Sequence, residues 1–396
     1  MCYNSNIEYY YTCFYHCLQD RFFCKKITKF YTEGREDDLY IIGEPSYSQT
    51  NWYRKILSPL KNQARKKRVQ LLAAESAEAV ADEPCAFVLG GSASWIVETV
   101  SALLKKNCHP IILNELPSQP LFGRYSCVKT DYHRFVAILS SYFAERGMKN
   151  TAFYGMNHAS FADIARKNAF TSCFEDGAVF ENNGSLARCF DDFYRTHREH
   201  PFDSVICAND FAAVSLLTHL REVGIDHRDI CITVHSNTQI LTCFPEILSV
   251  SVDHVALAVA AFEIADCVIA NPSFIGVSVT VDYLADEGSA PILQERDKPG
   301  EDSRFSYADS FYGDEELSEL MRIEQLLSEC DETDFKILHL LASNNADIGE
   351  STYLSDNGVK YRIKKMKRIC CVASKSEIPP LLEKYGVRLP KNPENQ

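Results

Sequence analysis

The chain holds 396 residues, of which 46% are hydrophobic and 24% charged, and its net charge is −13. Such globular values exclude wholesale disorder, and the length points to two or three domains rather than one core. No run approaches the ~20 uncharged apolar residues of a membrane helix, and the aromatic N-terminus sets its basic residues after its apolar ones, the reverse of a secretory signal. A cytoplasmic protein with no membrane partner is expected.

Residues 1–36 have no clear periodicity and are read as an N-terminal extension without an assigned role. They contain Cys13, His16, Cys17 and Cys24, whose spacing matches no zinc-binding pattern. The 16 cysteines are scattered along a long chain, so free thiols in a reducing compartment are expected, with no metal and no cofactor. From Leu39 onward short apolar runs alternate with helical stretches. The runs 39–43, 69–74, 85–91, 109–114, 127–131 and 151–156 read as strands, and 51–67, 94–106 and 131–147 as helices. The rhythm then restarts, with strands near 178, 204–208, 229–234 and 246–252 and helices near 161–170, 185–197, 211–224 and 255–269. Alternation of this kind predicts βαβ units and parallel sheets buried on both faces. Two rounds predict an α/β sensor of two lobes over 37–285, lobe one taking about 37–157 and 270–285 and lobe two about 158–269. The polar, acidic segment 286–314 reads as a linker, and 315–396 as an all-helical domain.

The charge is unevenly placed. From Leu354 to the end there are ten Lys/Arg against four Asp/Glu, a net of +6, which leaves −19 on the rest of the chain. Helices are expected at 316–329, 333–343 and 354–369, the last with Ser355 as N-cap. Val359, Ile363, Met366 and Cys370 recur at helical spacing and give that helix an inward face, and Cys370 and Cys371 read as small buried hydrophobes on it. Tyr361, Arg362, Lys364, Lys365 and Arg368 fill the remaining circumference, with Ser355, Asn357 and Lys360 near its start. A helix with a buried stripe and a basic outer face suits a DNA major groove, each cation at a phosphate displacing a counterion. A basic, solvated helix that docks on a protein has the same composition. Residues 331–387 resemble the LuxR-type helix-turn-helix, Leu354, Ser355, Val359 and Lys360 matching its recognition helix. Gly358 stands where Thr is usual, and Gly349 replaces an expected Ala in the scaffold helix. The resemblance implies DNA as partner.

Candidate ligand-binding residues fall at the carboxyl ends of strands, where open α/β sheets bind ligands. Asp131, Asn209 and Asp210 lie there, and Tyr47, Trp52 and Trp95 follow the first and third strands as candidate stacking rings. Asp131 and Asp210 are equally placed to cap the helices after them, and the two tryptophans equally suit the core. Residues 205–234, with Ala208-Asn209-Asp210 at a strand end and a helix closing in Leu-Arg-Glu-x-Gly, resemble the lactose/galactose repressor family. The resemblance extends over about 240 residues and implies a periplasmic-binding-protein-like sensor that closes on a sugar or related polar effector. It gives Asp131 and Arg166 ligand contacts, Arg166 also being readable as an ordinary surface ion pair. The family carries an acidic residue where this chain has Ser236, and its DNA-binding domain is N-terminal, whereas here the basic helices are C-terminal.

No G-x-G-x-x-G, phosphate-loop or G-x-S-x-G motif occurs, so neither catalysis nor catalytic residues are expected. The GGSAS loop (90–94) opens a helix and reads either as a tight turn or as an anion site. The expected function is a ligand-responsive DNA-binding regulator acting as a homodimer. The alternative is a ligand-binding protein whose C-terminal helices dock a partner protein.

Overall fold

The computed structural model describes residues 38–46, 51–113, 123–158, 160–235, 238–285, 314–343 and 348–389. Sheet one is built from β1 (Leu39–Gly43), β2 (Leu71–Ala74), β3 (Cys85–Leu89), β4 (His109–Leu113), β5 (Ser126–Thr130) and β11 (Ser278–Val281), in the order β11-β5-β4-β3-β1-β2. Every pairing in it is parallel. Strands such as CAFVL and HPIIL are buried at every position, because helices cover both faces and leave no wet side for a polar residue to occupy. Those helices include α1 (Asn51–Lys67) and α2 (Ala93–Lys105).

Sheet two has the order β12-β10-β9-β8-β6-β7, from β6 (Thr151–Met156), β7 (Ala178–Glu181), β8 (Ser204–Cys207), β9 (Cys231–His235), β10 (Leu248–Val252) and β12 (Tyr283–Ala285). Its pairings are parallel except for β12 against β10. Helix α3 (Tyr132–Glu145) leads from β5 into sheet two, and α4 (Phe161–Cys173), α5 (Leu186–Glu199) and α6 (Asp210–Glu222) lie between its strands. Asp131, Ser160, Ser185 and Asn209 each cap one of them with a side-chain oxygen.

The lobe boundaries differ from those read in the sequence. β6 opens sheet two rather than closing lobe one, and β12 returns to sheet two directly after β11 has joined sheet one. Helix α7 (His254–Ala270), read as part of lobe two, packs on β3, β4 and β5 and along α1 in lobe one. Periodicity reports that a segment is a buried strand or a helix; it does not report which of two sheets receives it. The chain thus crosses between lobes near 131, 253 and 282. At these crossings one continuous apolar core joins Ile41 and Phe87 of sheet one to Phe153, Ile206 and Val250 of sheet two.

The C-terminal block is α8 (Glu315–Glu329), α9 (Glu332–Ala342), the five-residue α10 (Ile348–Thr352), α11 (Asp356–Cys370) and α12 (Ile378–Lys384). Cys371 does not extend α11; it is exposed and terminates the helix in the left-handed conformation, φ 55° and ψ 39°. The block is not separate from the sensor: Leu317, Leu320, Ile323 and Leu327 of α8 share one core with Leu216, Leu220 and Ile240 of lobe two. Among the described residues, no helix is long and apolar enough to cross a membrane.

Candidate functional site

Arg166, the candidate ligand contact, lies in α4. Its helix turns it inward, and it is only 7% exposed. Nη2 is ion-paired with Asp163 one turn earlier, Nη1 donates to His235 Nδ1 at 3.0 Å, and the guanidinium carbon lies 5.3 Å from the Tyr132 ring centre. Three rings box His235 edge to face: Phe135 at 5.1 Å, Tyr283 at 5.2 Å and Tyr132 at 5.5 Å. Burial, then the neighbouring Arg166 charge, holds His235 well below the usual imidazole range. The ring is therefore neutral, and since Nδ1 accepts from Arg166 the proton sits on Nε2. Among the described residues, that Nε2 and Arg166 Nε are buried without a hydrogen-bond partner. This buried group thus holds two donors, while Asp163 balances the Arg166 charge.

Of the strand-end residues read from the sequence, two cap helices and the third is buried. Asp131 is exposed and accepts from the His133 and Arg134 amides at 2.9 and 3.2 Å, capping α3. Asn209 accepts from the Ala212 amide at 3.0 Å and caps α6. Asp210 is buried and accepts from the Thr238 amide at 3.2 Å and from the Thr238 hydroxyl. Trp95 lies half-buried over Gly90, so close that a Cβ there would sit 2.6 Å from the indole. Tyr47 and Ser236 lie outside the described residues, as does the side chain of Trp52. Sequence reasoning missed Asp163, Tyr132, His235 and Tyr283. Asp163 could have been found, because it stands three residues before Arg166 on one helix; Tyr283 follows a short strand with no periodic signal.

The GGSAS loop receives an anion from the chain itself. Glu44, at the end of β1 and 4% exposed, accepts from the Gly91 amide at 2.7 Å and the Ser92 amide at 3.0 Å, and also from the Ser92 hydroxyl. A carboxylate at the entry of α2 satisfies the amides that an external phosphate would otherwise meet.

In the helical block, Ser355 caps α11 by accepting from the Gly358 amide at 3.3 Å. Met366, Ile369 and Cys370 are buried, with Val359 and Ile363 packed partly behind them. Of the cations on its surface, Lys360, Lys364 and Arg368 are exposed, as are Ser355, Asn357 and Tyr361. Arg362 and Lys365 are placed differently from the sequence reading. Arg362 Nη1 reaches Asp331 and Asp334 at 2.8 Å each, and Lys365 lies 3.3 Å from the Glu329 carboxylate. Both pairs bind α11 to its neighbours, so these two cations are partly buried. Lys360, Lys364, Lys367 and Lys375 instead line one open groove of about 360 Å³ with Ile348, Val359 and Ile363. Lys367 and Lys375 were not singled out in the sequence.

The N-terminal Cys/His group lies outside the described residues; among those described, no three His, Cys, Asp or Glu side chains gather as a metal site.

No protein-family model matches the sequence, and no curated protein matches it. Solved structures do. A LacI transcriptional regulator from a Rhodococcus species aligns with a TM-score of 0.51 and 17% identity, over 64% of this chain and 98% of that one. A LacI-family transcriptional regulator from Enterococcus faecium, solved with bound ribose, aligns with a TM-score of 0.51 and 14% identity, over 64% and 100%. The Lac repressor bound to ONPG aligns with a TM-score of 0.52 and 12% identity, over 66% and 84%. At such identities the likeness is one of fold, and the protein has the two-lobed α/β architecture of LacI-type sensors, with further helices at its C-terminus.

Proposed function

We propose that this protein is a ligand-responsive, DNA-binding transcriptional regulator acting in the cytoplasm as a homodimer. A sugar or related polar metabolite is bound between the lobes, and α11 meets DNA. One observation carries the reading: an exposed basic edge, with Lys360, Lys364 and Arg368 outward, stands on a compact helical block attached to a sensor lobe. Ser355, Asn357 and Tyr361 share that edge and are assigned base or phosphate contacts, with Lys367 and Lys375 beside them in the groove. Arg362 and Lys365 are assigned the task of fixing α11 in place. The cleft assignment rests on Arg166, whose charge Asp163 balances. Such a centre favours an uncharged ligand rich in acceptors, in keeping with the ribose and lactose held by similar LacI-family regulators. Asp131, Asn209, Asp210 and Ser236 are assigned to the cleft rim, the first three on condition that their capping bonds are shared with the ligand.

The test is binding of the purified protein to its own upstream DNA at two salt concentrations, beside Lys360→Ala/Lys364→Ala. Each phosphate contact contributes about 0.9 to the slope of log affinity against log salt. The double variant should therefore lose roughly two units of slope per protomer. Equal binding by both proteins, or none by either, would remove the DNA assignment. The second reading, a partner-docking block, is favoured by Tyr353 and Tyr361, which are 91% and 72% exposed. It expects capture of a protein with little salt dependence.

A further inference from the structure

One histidine stands in the seam between lobe two and the helical block with a carboxylate at each ring nitrogen. His219 lies in the last turn of α6. Its Nδ1 is 2.9 Å from Glu222, three residues on in the same helix, and its Nε2 is 3.3 Å from Glu316 in the first turn of α8. The His219 side chain is 20% exposed and that of Glu316 14%. Phe190 of α5 stacks on the imidazole, with ring centres 4.9 Å apart and planes at 25°. A neutral imidazole has one N–H and one lone pair, so it satisfies one carboxylate and turns a lone pair on the other. The imidazolium donates to both, and the arrangement is complete in that state alone. The hydrogen bond to Glu316, above all, raises the imidazole from its ordinary 6.5; burial opposes it, and the Glu316 charge and the bond to Glu222 reinforce it. Charge reaches the ring from two elements, Glu316 of α8 and Glu222 of α6 itself, while Arg221 of α6 is paired with Glu246. α5 presents the uncharged Phe190 ring, and β8 and β9 add apolar residues such as Val205 and Ile232 to the core under α6. Around Glu316 stand Asp314, which accepts from the Glu316 amide at 3.1 Å, and the hydroxyls of Tyr154 and Tyr385, which burial keeps protonated.

We propose that His219 is a proton-operated clasp between the sensor and the helical block, closed while the imidazole is charged and released as it loses its proton. The inference goes beyond the ligand-responsive reading and holds with or without DNA. Loss of the proton sets a lone pair against one carboxylate and removes the cation from between Glu222 and Glu316, with Asp314 adding a third negative charge nearby. The first turn of α8 then opens from α6 more readily. Because the closed state raises the imidazole, the clasp is at full strength below about pH 6.5 and is lost as pH rises through the closed-state value. The depressed His109, His235 and His254 act in the opposite sense, so the clasp is read locally and not from overall stability. A loosened α8 acts on α11, because Leu320 and Ile323 share a core with Met366 and Ile369. In the regulator reading the proton is thus a second input beside the ligand.

The experiment uses the full chain, without DNA or ligand, as the wild type, His219→Gln and Glu316→Gln. The imidazole proton resonance of His219, assigned by its loss in His219→Gln, is titrated by NMR. Amide exchange is followed between about pH 5.5 and 8.5, a range that brackets the histidine, with the intrinsic pH dependence of exchange divided out. The wild-type midpoint should lie above the ordinary 6.5 and move down in Glu316→Gln. Opening of 315–320, relative to strand β3, should rise with pH by about tenfold for each unit between that midpoint and 6.5. His219→Gln should give a flat profile there, and Glu316→Gln, whose amide pairs with either form of the ring, should flatten most of it. A histidine that only fills space would leave the wild type as flat as His219→Gln. Should His219→Gln fail to fold by circular dichroism, the histidine resonance that moves in Glu316→Gln and the exchange profile of that variant decide alone. A wild-type midpoint at or below 6.5, or a wild-type profile at 315–320 parallel to that of the variants, would overturn the proposal.

Discussion

Arg166 and Asp163 form a buried pair whose members depend on each other more than the fold depends on either. Removing one partner leaves an uncompensated charge in a site 7% exposed or less, at a cost of about 3–5 kcal/mol. Asp163→Ala should therefore lower the urea midpoint strongly, and Asp163→Ala/Arg166→Met should recover part of the loss. A double variant less stable than Asp163→Ala would refute that account. The buried imidazoles give a second prediction, in pH. Burial, first, and then Lys55 hold His254 down to about 4, against an ordinary value of 6.5, and burial with Arg124 brings His109 to about 4. His235 is depressed as well. The unfolded chain takes up these protons below about pH 6.5 while the native state refuses them, so the unfolded state binds more protons and stability rises with pH. Stability should be full above pH 6.5 and fall as pH drops toward 4, each such histidine contributing up to about 1.4 kcal/mol per pH unit. Replacing His254 with Gln should make the acid limb of a urea-midpoint series shallower by about that slope; an unchanged limb would contradict the assignment. Arg166 was legible in the sequence, but His235, 69 residues away, was not named with it, since only the fold brings them together. Asp131 and Asn209 were legible as strand-end residues, and the same position makes them helix caps, which is the role their geometry displays.

At the scale of elements, two glycines in the helical block behave oppositely. A Cβ at Gly358, in the first turn of α11, would meet Ser355 Oγ at 3.5 Å and the Leu354 side chain at 3.7 and 3.8 Å, all ordinary contacts. Gly358→Ala should stabilise the helix by about 0.5–1 kcal/mol, because Gly loses more backbone freedom on folding. A Cβ at Gly349 in α10 would lie 3.3 Å from the Leu354 carbonyl, and the Leu354 amide bonds back to the Gly349 carbonyl at 3.2 Å. Small size there lets α10 close on the start of α11, so Gly349→Ala should yield no such gain and should lower the thermal midpoint; a gain equal to that at Gly358 would reject this reading. Long periodic elements were legible in the sequence to within a residue or two, as in α1 and α6. The three-residue β12 and the turn Gln239–Cys243 were not. They are too short to show a period, and what stabilises the turn is Glu324 from another helix.

At the scale of the whole molecule, the decisive feature is that the sensor and the helical block are not beads on a linker. The acidic composition of 286–314 reads as a tether between independent domains, yet the helical block beyond it is fastened to lobe two at several points. Asp314 accepts from the Leu186 amide at 2.7 Å, His219 pairs with Glu316 at 3.3 Å, and Arg221 and Arg388 converge on Glu246 at 3.0 and 3.4 Å. Beneath these contacts lies the shared core. Leu320 is fully buried within it, beside α6 and the turn that Glu324 caps. Two independent domains would unfold in two steps, and a lesion in one would leave the other's step in place. A continuous core predicts the contrary: Leu320→Ala, a core truncation costing about 2–5 kcal/mol, should move lobe two and the helical block together. Calorimetry would show their common transition displaced as one, and exchange in β8 and α6 should accelerate as much as exchange in α11. If the variant instead split off a low-temperature transition confined to 315–389, the block would be an independent unit resting on the sensor. The core shared by lobe two and α11 would then not act as one cooperative unit.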